Sequence, residues 1–367
     1  MHAPYRTLLR SLLPLVLTGC GDGDKGEGEA TEATGCITVA DDVAECPAAE
    51  DVDVGAITSV HCGAEVVSVE GEGSFGSDPT GWGDTGTAWC CYPILELREA
   101  DCDYGRPFIE GGRPRFAAST EGAGWSAGPT PATDMPAEAR ALLAEAWKKA
   151  ALDEHAAVAA FSRLALELMA FGAPAALVAR TNQAAAEEIV HAQMGFQLAS
   201  AYAGHPVRPD AFPLGEQLTL TRDLAAFAAA TAREGCVGET LITLVALESL
   251  QHTTDPAVRA TLERITTDEI GHAQLAWATV RWAIDVGGPE VHGAVAQVFA
   301  ELAASGGHVL PQRRASGPHL EHLVAHGLPD AAMARRALDR GVAEVVMPAA
   351  RALLAGEEPA PLHHASV

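Results

Sequence analysis

Glu188-Ile189-Val190-His191-Ala192-Gln193 recurs as Glu269-Ile270-Gly271-His272-Ala273-Gln274, and each copy lies within a long alanine- and leucine-rich run of helical periodicity. A glutamate and a histidine three residues apart share one face of a helix. Upstream of each copy, on an earlier run, stands a single glutamate. These are Glu154 in Glu154-His-Ala-Ala-Val-Ala-Ala-Phe and Glu234 in Glu234-Gly-Cys-Val-Gly-Glu-Thr-Leu. The offset from single glutamate to repeat is 34 residues in the first pair (154 to 188) and 35 in the second (234 to 269). A duplicated helical hairpin accounts for this more simply than chance.

Punctuation marks the helices out. Pro136, after the capping residue type Asp134, opens the first helix, which runs to Phe171. Gly172 closes it, and Pro174 opens the second, which ends near Gly204. A long connection leads to a third helix from about Thr221 to Gln251, and His252–Pro256 turns into a fourth that ends near Val286. Glu154 stands about 27 Å before the first turn and Glu188 about 21 Å after it, at ~1.5 Å per residue. The second hairpin matches, so four carboxylates and two imidazoles are expected at one depth.

Such a cluster among Ala, Leu, Val and Phe carries a large desolvation cost unless it is neutralised. No lysine or arginine falls at that depth on the same faces. Two divalent cations would balance four carboxylates. One Glu from each of two helices plus Glu-x-x-His from two others is the recurring bundle solution for di-iron and di-manganese sites. The expected ligands are therefore Glu154, Glu188, His191, Glu234, Glu269 and His272. The expected cofactor is two iron ions, with manganese also compatible with the donor set.

On these motifs, residues 137–286 resemble the ferritin-like superfamily, and the two Glu-x-x-His copies make the chain more similar to rubrerythrin and the multicomponent oxygenases than to classical ferritin. The resemblance implies a mainly α fold, a ferritin-like four-helix bundle. It implies bridging or chelating roles for Glu188 and Glu269, terminal roles for Glu154 and Glu234, and one histidine per metal. It further implies activation of dioxygen or peroxide in oxidase, hydroxylase or peroxidase chemistry, with an electron donor that the sequence does not identify. Ferroxidation or iron handling, and a binding protein with a structural metal, are the alternatives. Tyr202 lies about 21 Å along its helix from Glu188 at ~1.5 Å per residue, which argues against a radical tyrosine.

Neighbouring groups are expected outside the ligand set. Glu239 falls about 140° round an α-helix from Glu234, and Glu187 and Asp268 about 100° from the adjacent glutamates. Glu239 reads as solvated or as a supporting partner, and Glu187 and Asp268 as flanking groups. Cys236 reads as a small core residue, and His155 faces away. Residues 287–367 read as a C-terminal helical extension, with helices near 289–304 and 331–355. Its histidines (His308, His319, His322, His326, His363, His364) read as surface groups.

The N-terminal third has a different character. Arg6 and Arg10 precede a short apolar stretch from Leu12 to Leu17, too short to span a bilayer, so residues 1–19 read as a signal peptide. Leu17-Thr18-Gly19-Cys20 resembles a bacterial lipobox, which implies lipidation at Cys20, a membrane partner through that anchor, and an exported chain. Residues 20–35 read as a flexible tether. Six cysteines follow in residues 36–120 (Cys36, Cys46, Cys62, Cys90, Cys91, Cys102), a small disulfide-bearing β module whose pairing the sequence leaves open. Within it, Glu110-Gly111-Gly112 reads as a hairpin turn, and nothing suggests catalysis. Residues 121–136 read as a linker. A net charge of −25 argues against nucleic acid as a partner.

Overall fold

In a computed structural model of the chain, the structure describes residues 34–39, 46–52, 65–69, 74–76, 88–98, 106–110, 113–215, 218–304 and 314–356. The described part is mainly helical, with a few small antiparallel strands. The signal peptide, Cys20 and the tether lie outside it, as do the side chains of Cys36, Cys62, Cys91 and Cys102.

The N-terminal strands pair around one long strand. β1 (Thr34–Val39), β2 (Glu65–Val69) and β3 (Ser74–Gly76) each run antiparallel to β4 (Ala88–Arg98). Cys46 is bridged to Cys90, and the Tyr92 hydroxyl donates to Pro47 O at 2.7 Å. Cys36 stands opposite Cys91 in the β1–β4 register. The expected hairpin is present, with β5 (Phe108–Glu110) against β6 (Arg113–Arg115). Residues 121–136 do more than link. β7 (Ser119–Glu121) pairs with β8 (Val207–Pro209), Trp125 packs edge-on against His155 and Phe196, and Ala132 N donates to Asp255 Oδ2.

Two helical hairpins follow. α1 (Ala137–Ala170) turns through Gly172, at φ 72°, into α2 (Ala175–Ala203), which ends on left-handed Gly204. The third run is α3 (Leu224–Thr231), capped by the Asp223 carboxylate on Ala225 N and Ala226 N. It continues through a π-helical segment, Ala232–Glu239, into α4 (Thr240–His252). α5 (Pro256–Ala304) completes the second hairpin, and its helix breaks at Gly288, where Pro289 restarts it. α6 (Leu320–Ala325) sets Leu323 against α1, α2 and the start of α5, while α7 (Ala331–Gly341) and α8 (Met347–Leu354) pack behind α4 and α5.

The helices bury two apolar layers with a polar one between them. Leu143 and Trp147 of α1 meet Leu198 and Tyr202 of α2 and Val258 and Leu262 of α5. Further along, Phe161, Leu164 and Leu168 of α1 meet Leu177 and Ala184 of α2, Phe227 of α3 and Leu275 of α5. Glu154, Glu188 and Glu269 fall between these layers in sequence on their helices.

One C-terminal histidine departs from its expected place. His326 is buried, its Nδ1 is 2.7 Å from the Tyr202 hydroxyl, and its carbonyl accepts from Trp147 Nε1. Gly327 makes this possible. Its φ is 95°, and a Cβ there would lie 2.8 Å from Val258 and 3.0 Å from Trp147, so the loop presses onto the helices and carries His326 inward. His308, His363 and His364 lie outside the described residues.

Candidate metal centre

Glu154, Glu188, His191 and Glu269 each offer one donor atom, and those atoms lie within 4.8 Å of one another, a group able to hold a metal ion. His272 adjoins it, with Nδ1 3.1 Å from Glu188 Oε1 and 3.4 Å from Glu269 Oε2. His191 Nδ1 is correspondingly 3.1 Å from Glu188 Oε2 and 3.4 Å from Glu269 Oε1. Five of the six residues singled out in sequence are thus brought together.

The outer nitrogen of each imidazole is held by the opposite helix. His191 Nε2 is 3.0 Å from Asp268 Oδ2, and His272 Nε2 is 2.9 Å from Glu187 Oε2. Arg264 in turn holds Asp268 at 2.6 Å. The carboxylates receive the Nε2 protons, which leaves Nδ1 of both rings facing the cluster. Glu187 and Asp268 flank the site as expected, and each supports the ring of the other motif rather than its own.

Glu234 is placed elsewhere. Its carboxylate is 3.9 Å from Arg106 Nε, whereas Glu239 Oε1 is 3.6 Å from Arg106 Nη1. Glu239 is only 1% exposed, against 19% for the Glu234 side chain, and it feels the charges of Glu188, Glu269 and His272. Of the two expectations for Glu239, solvated or supporting partner, its burial removes the first. Hydrogen bonds in a π-helix run from i to i+5, so residues five apart stack on one face. Counting 100° per residue through Ala232–Glu239 therefore misplaces the second carboxylate.

Arg106 is the other residue that sequence reasoning missed. It comes from the Cys-rich half, is 4% exposed, and lies 5.1 Å from the centroid of the Phe161 ring. Phe161 packs in turn against His272, with ring centroids 5.1 Å apart. The expectation that no cation shares the depth of the cluster is corrected by Arg106, which the N-terminal half supplies against Glu234 and Glu239, and by Arg264 on Asp268.

Electrostatics mark the layer as strained without a counter-ion. Burial, reinforced by Glu188 and Glu269, pushes the Glu154 carboxyl well up. Burial pushes Glu239 up to about 8, only partly relieved by Arg106. Burial also opposes ionisation of Glu188, but contacts from His191 and His272 outweigh it and hold that carboxyl low. Both imidazoles are raised well above their usual range, because their carboxylate neighbours overcome burial. Both oxygens of Glu239 are buried and make no hydrogen bond. Buried polar atoms are ordinarily satisfied, so these donors fit a cation.

Three cavities reach this layer, one of them, of about 240 Å³, beside His272, Glu187 and Asp268. Another, of about 90 Å³, touches Glu154 and Glu269 between α1, α4 and α5 and is otherwise lined largely by apolar side chains such as Trp147 and Leu262. The third, of about 540 Å³, is lined by Arg106 and Glu234. Cys236 is buried and free, and His155 packs on Trp125 and Phe212 away from the cluster.

Compared with protein-family models, with curated proteins and with solved structures, the chain matches none.

Proposed function

We propose that this chain is a ferritin-like metalloprotein whose Glu–His layer binds two iron ions, with manganese as the alternative metal, and activates dioxygen or peroxide. The observation that carries the reading is the convergence of Glu154, Glu188, His191 and Glu269 within 4.8 Å, with the buried Glu239, whose oxygens make no hydrogen bond, under the charge of the same cluster. The residues that would hold the metals are Glu154, Glu188, His191, Glu239, Glu269 and His272. Glu239 takes the place that the helical count gives to Glu234, and the two α-helical hairpins supply the four-helix frame.

Four carboxylates balance two divalent cations. Bound there, the metals supply Lewis acidity and electrons for reduction of the oxidant. The protein's own contribution is orientation and exclusion. Glu187 and Asp268 fix the imidazole rings with Nδ1 inward, the use that hydrogen-bonded carboxylates serve in metal sites. Phe161 keeps water from His272. The smallest of the three cavities has the size for dioxygen or peroxide to reach Glu154 and Glu269. Export and anchoring through Cys20 belong to the same reading and rest on the lipobox-like sequence.

Ferroxidation without an organic substrate is the second reading, and the larger cavity beside Arg106 speaks against it. Metal analysis of the full chain, with optical spectra recorded after peroxide addition, tests the proposal. About two irons per chain and a spectral change are expected. A chain that stays metal-free at full stability, or Glu188→Ala and His272→Ala variants with unchanged metal content, would overturn it.

A further inference from the structure

The larger cavity, about 540 Å³, opens between β5, α1 and α3, and its size falls in the range of ~300–1,000 Å³ typical of small-molecule sites. Phe108, Leu164, Leu218 and Phe227 give it apolar walls. Arg106 lines it and also touches the centre, through Glu239 at 3.6 Å and through the face of Phe161, which packs on His272. The cavity of about 90 Å³ between α1, α4 and α5 is much smaller, and the one of about 240 Å³ beside His272 has polar walls, among them Arg180, Gln183, Glu187 and Asp268.

Charge decides what the larger cavity accepts. Its three glutamates are already engaged. Glu110 accepts from Gly215 N at 3.2 Å and pairs with Arg115 at 3.3 Å. Glu167 accepts from Thr221 N at 3.1 Å, and Glu234 faces Arg106 Nε at 3.9 Å. The guanidiniums are not saturated. Arg163 gives Nη1 to Ile109 O and lies over the Phe108 ring, which leaves donors on its other nitrogens. Arg106 faces Glu234 at 3.9 Å and Glu239 at 3.6 Å, and its buried Nη1 makes no hydrogen bond.

We propose that this cavity is the organic-substrate site of the metal centre, and that it takes a small monocarboxylate with an apolar body. The carboxylate is held by Arg106 and Arg163, in the paired geometry that guanidinium groups offer to carboxylates, and the apolar body lies along Phe108, Leu164 and Phe227. Its role as a substrate site rests on the metal-centre reading above, whereas its ligand preference does not.

Calorimetric titration of the full chain with octanoate, octanamide and octylamine, before and after iron loading, tests the assignment. Octanoate is expected to bind once per chain and at least tenfold more tightly than the amide, with the amine weaker still. Arg163→Gln is expected to erase the preference for acid over amide. Ala230→Phe, which fills the cavity, should weaken octanoate binding tenfold or more, as should Ala226→Phe at a more exposed position on the same wall, and metal content should not change. Equal binding of the three probes, binding of none, or octanoate affinity untouched by both filling variants would overturn the proposal. Octanoate binding to a chain that takes up no iron would keep the ligand site and remove the metal reading.

Discussion

Glu187 on α2 accepts the Nε2 proton of His272 on α5 at 2.9 Å, although Glu187 belongs to the motif whose own histidine is His191. Asp268 returns the arrangement on His191 at 3.0 Å. Each acid-Glu-x-x-His word therefore does two tasks. Its glutamate and histidine turn into the cluster, and its leading acid crosses to the opposite helix and fixes the other ring. The cross-brace locks α2 to α5 in one register, because a slide along either helix would break both bonds together. It also sets both imidazoles with Nδ1 inward before any metal arrives.

Loss of one brace should loosen one ring. Glu187→Ala is expected to lower metal affinity about 10- to 100-fold, the usual effect of removing a group that orients a ligand. Asp268→Ala should do the same on the His191 side. Competition against a chelator of known affinity measures both. Unchanged affinity in both variants would show that the rings are held by packing alone.

The two acids of the π-helical segment should separate cleanly. Glu239→Gln is expected to remove about half of the bound metal, or weaken it at least tenfold, because its buried carboxylate faces the cluster. Glu234→Gln should retain full metal content, since the charges on Glu234 are those of Arg106, Arg163, Glu167 and Arg233 and not those of the cluster. Metal quantification after desalting decides, and the reverse pattern would restore Glu234 to the ligand set.

Much of this arrangement was legible before any coordinates. Pro136, Gly172-Pro174 and Gly204 act on the backbone at their own positions, so they mark helix ends from sequence alone. The spacing of Glu154, Glu188 and Glu269 carried depth, because the rise of an α-helix is constant. Three features escape the sequence for physical reasons. A π-helical segment changes the angular count without changing composition, so Glu239 was set on the wrong face. Arg106 acts across a long sequence separation from a segment without periodicity, and nothing near it in sequence announces that it meets Phe161 and Glu239. His326 was misread likewise, because its burial depends on how the Gly327 loop meets α1 and α5.

Gly235 should not tolerate a side chain. A Cβ there would collide with the Ala276 methyl and lie 3.2 Å from Arg106 Nη1. Gly235→Ala is expected to destabilise the chain by about 1–3 kcal/mol through overpacking, and to reduce metal occupancy by moving the Arg106–Glu239 pair. Denaturant unfolding and metal analysis check the two effects. A stability loss with normal occupancy would separate the π-helical packing from the centre.

The pH response of the metal-free chain should have a defined sign. Burial raises Glu239 to about 8 from an unfolded value near 4.5, so the folded state binds more protons between those values. Stability from this group is fully present below the unfolded value and is lost as pH rises through about 8. His191 and His272 are also raised above 6.5, so they add a loss of the same sign as pH rises through their folded values. Glu188 is lowered and acts in the opposite sense; its contribution is lost only in acid, below its ordinary range. The melting temperature of the metal-free chain is therefore expected to fall between pH 6 and 9, and Glu239→Gln should flatten part of that fall. Metal should reverse the trend, because the ligands must give up protons to bind it. Affinity should rise over the same interval, with proton release visible as a buffer-dependent binding heat. A metal-free chain whose melting temperature rises from pH 6 to 9 would show that these groups do not share the buried, cation-seeking layer described above.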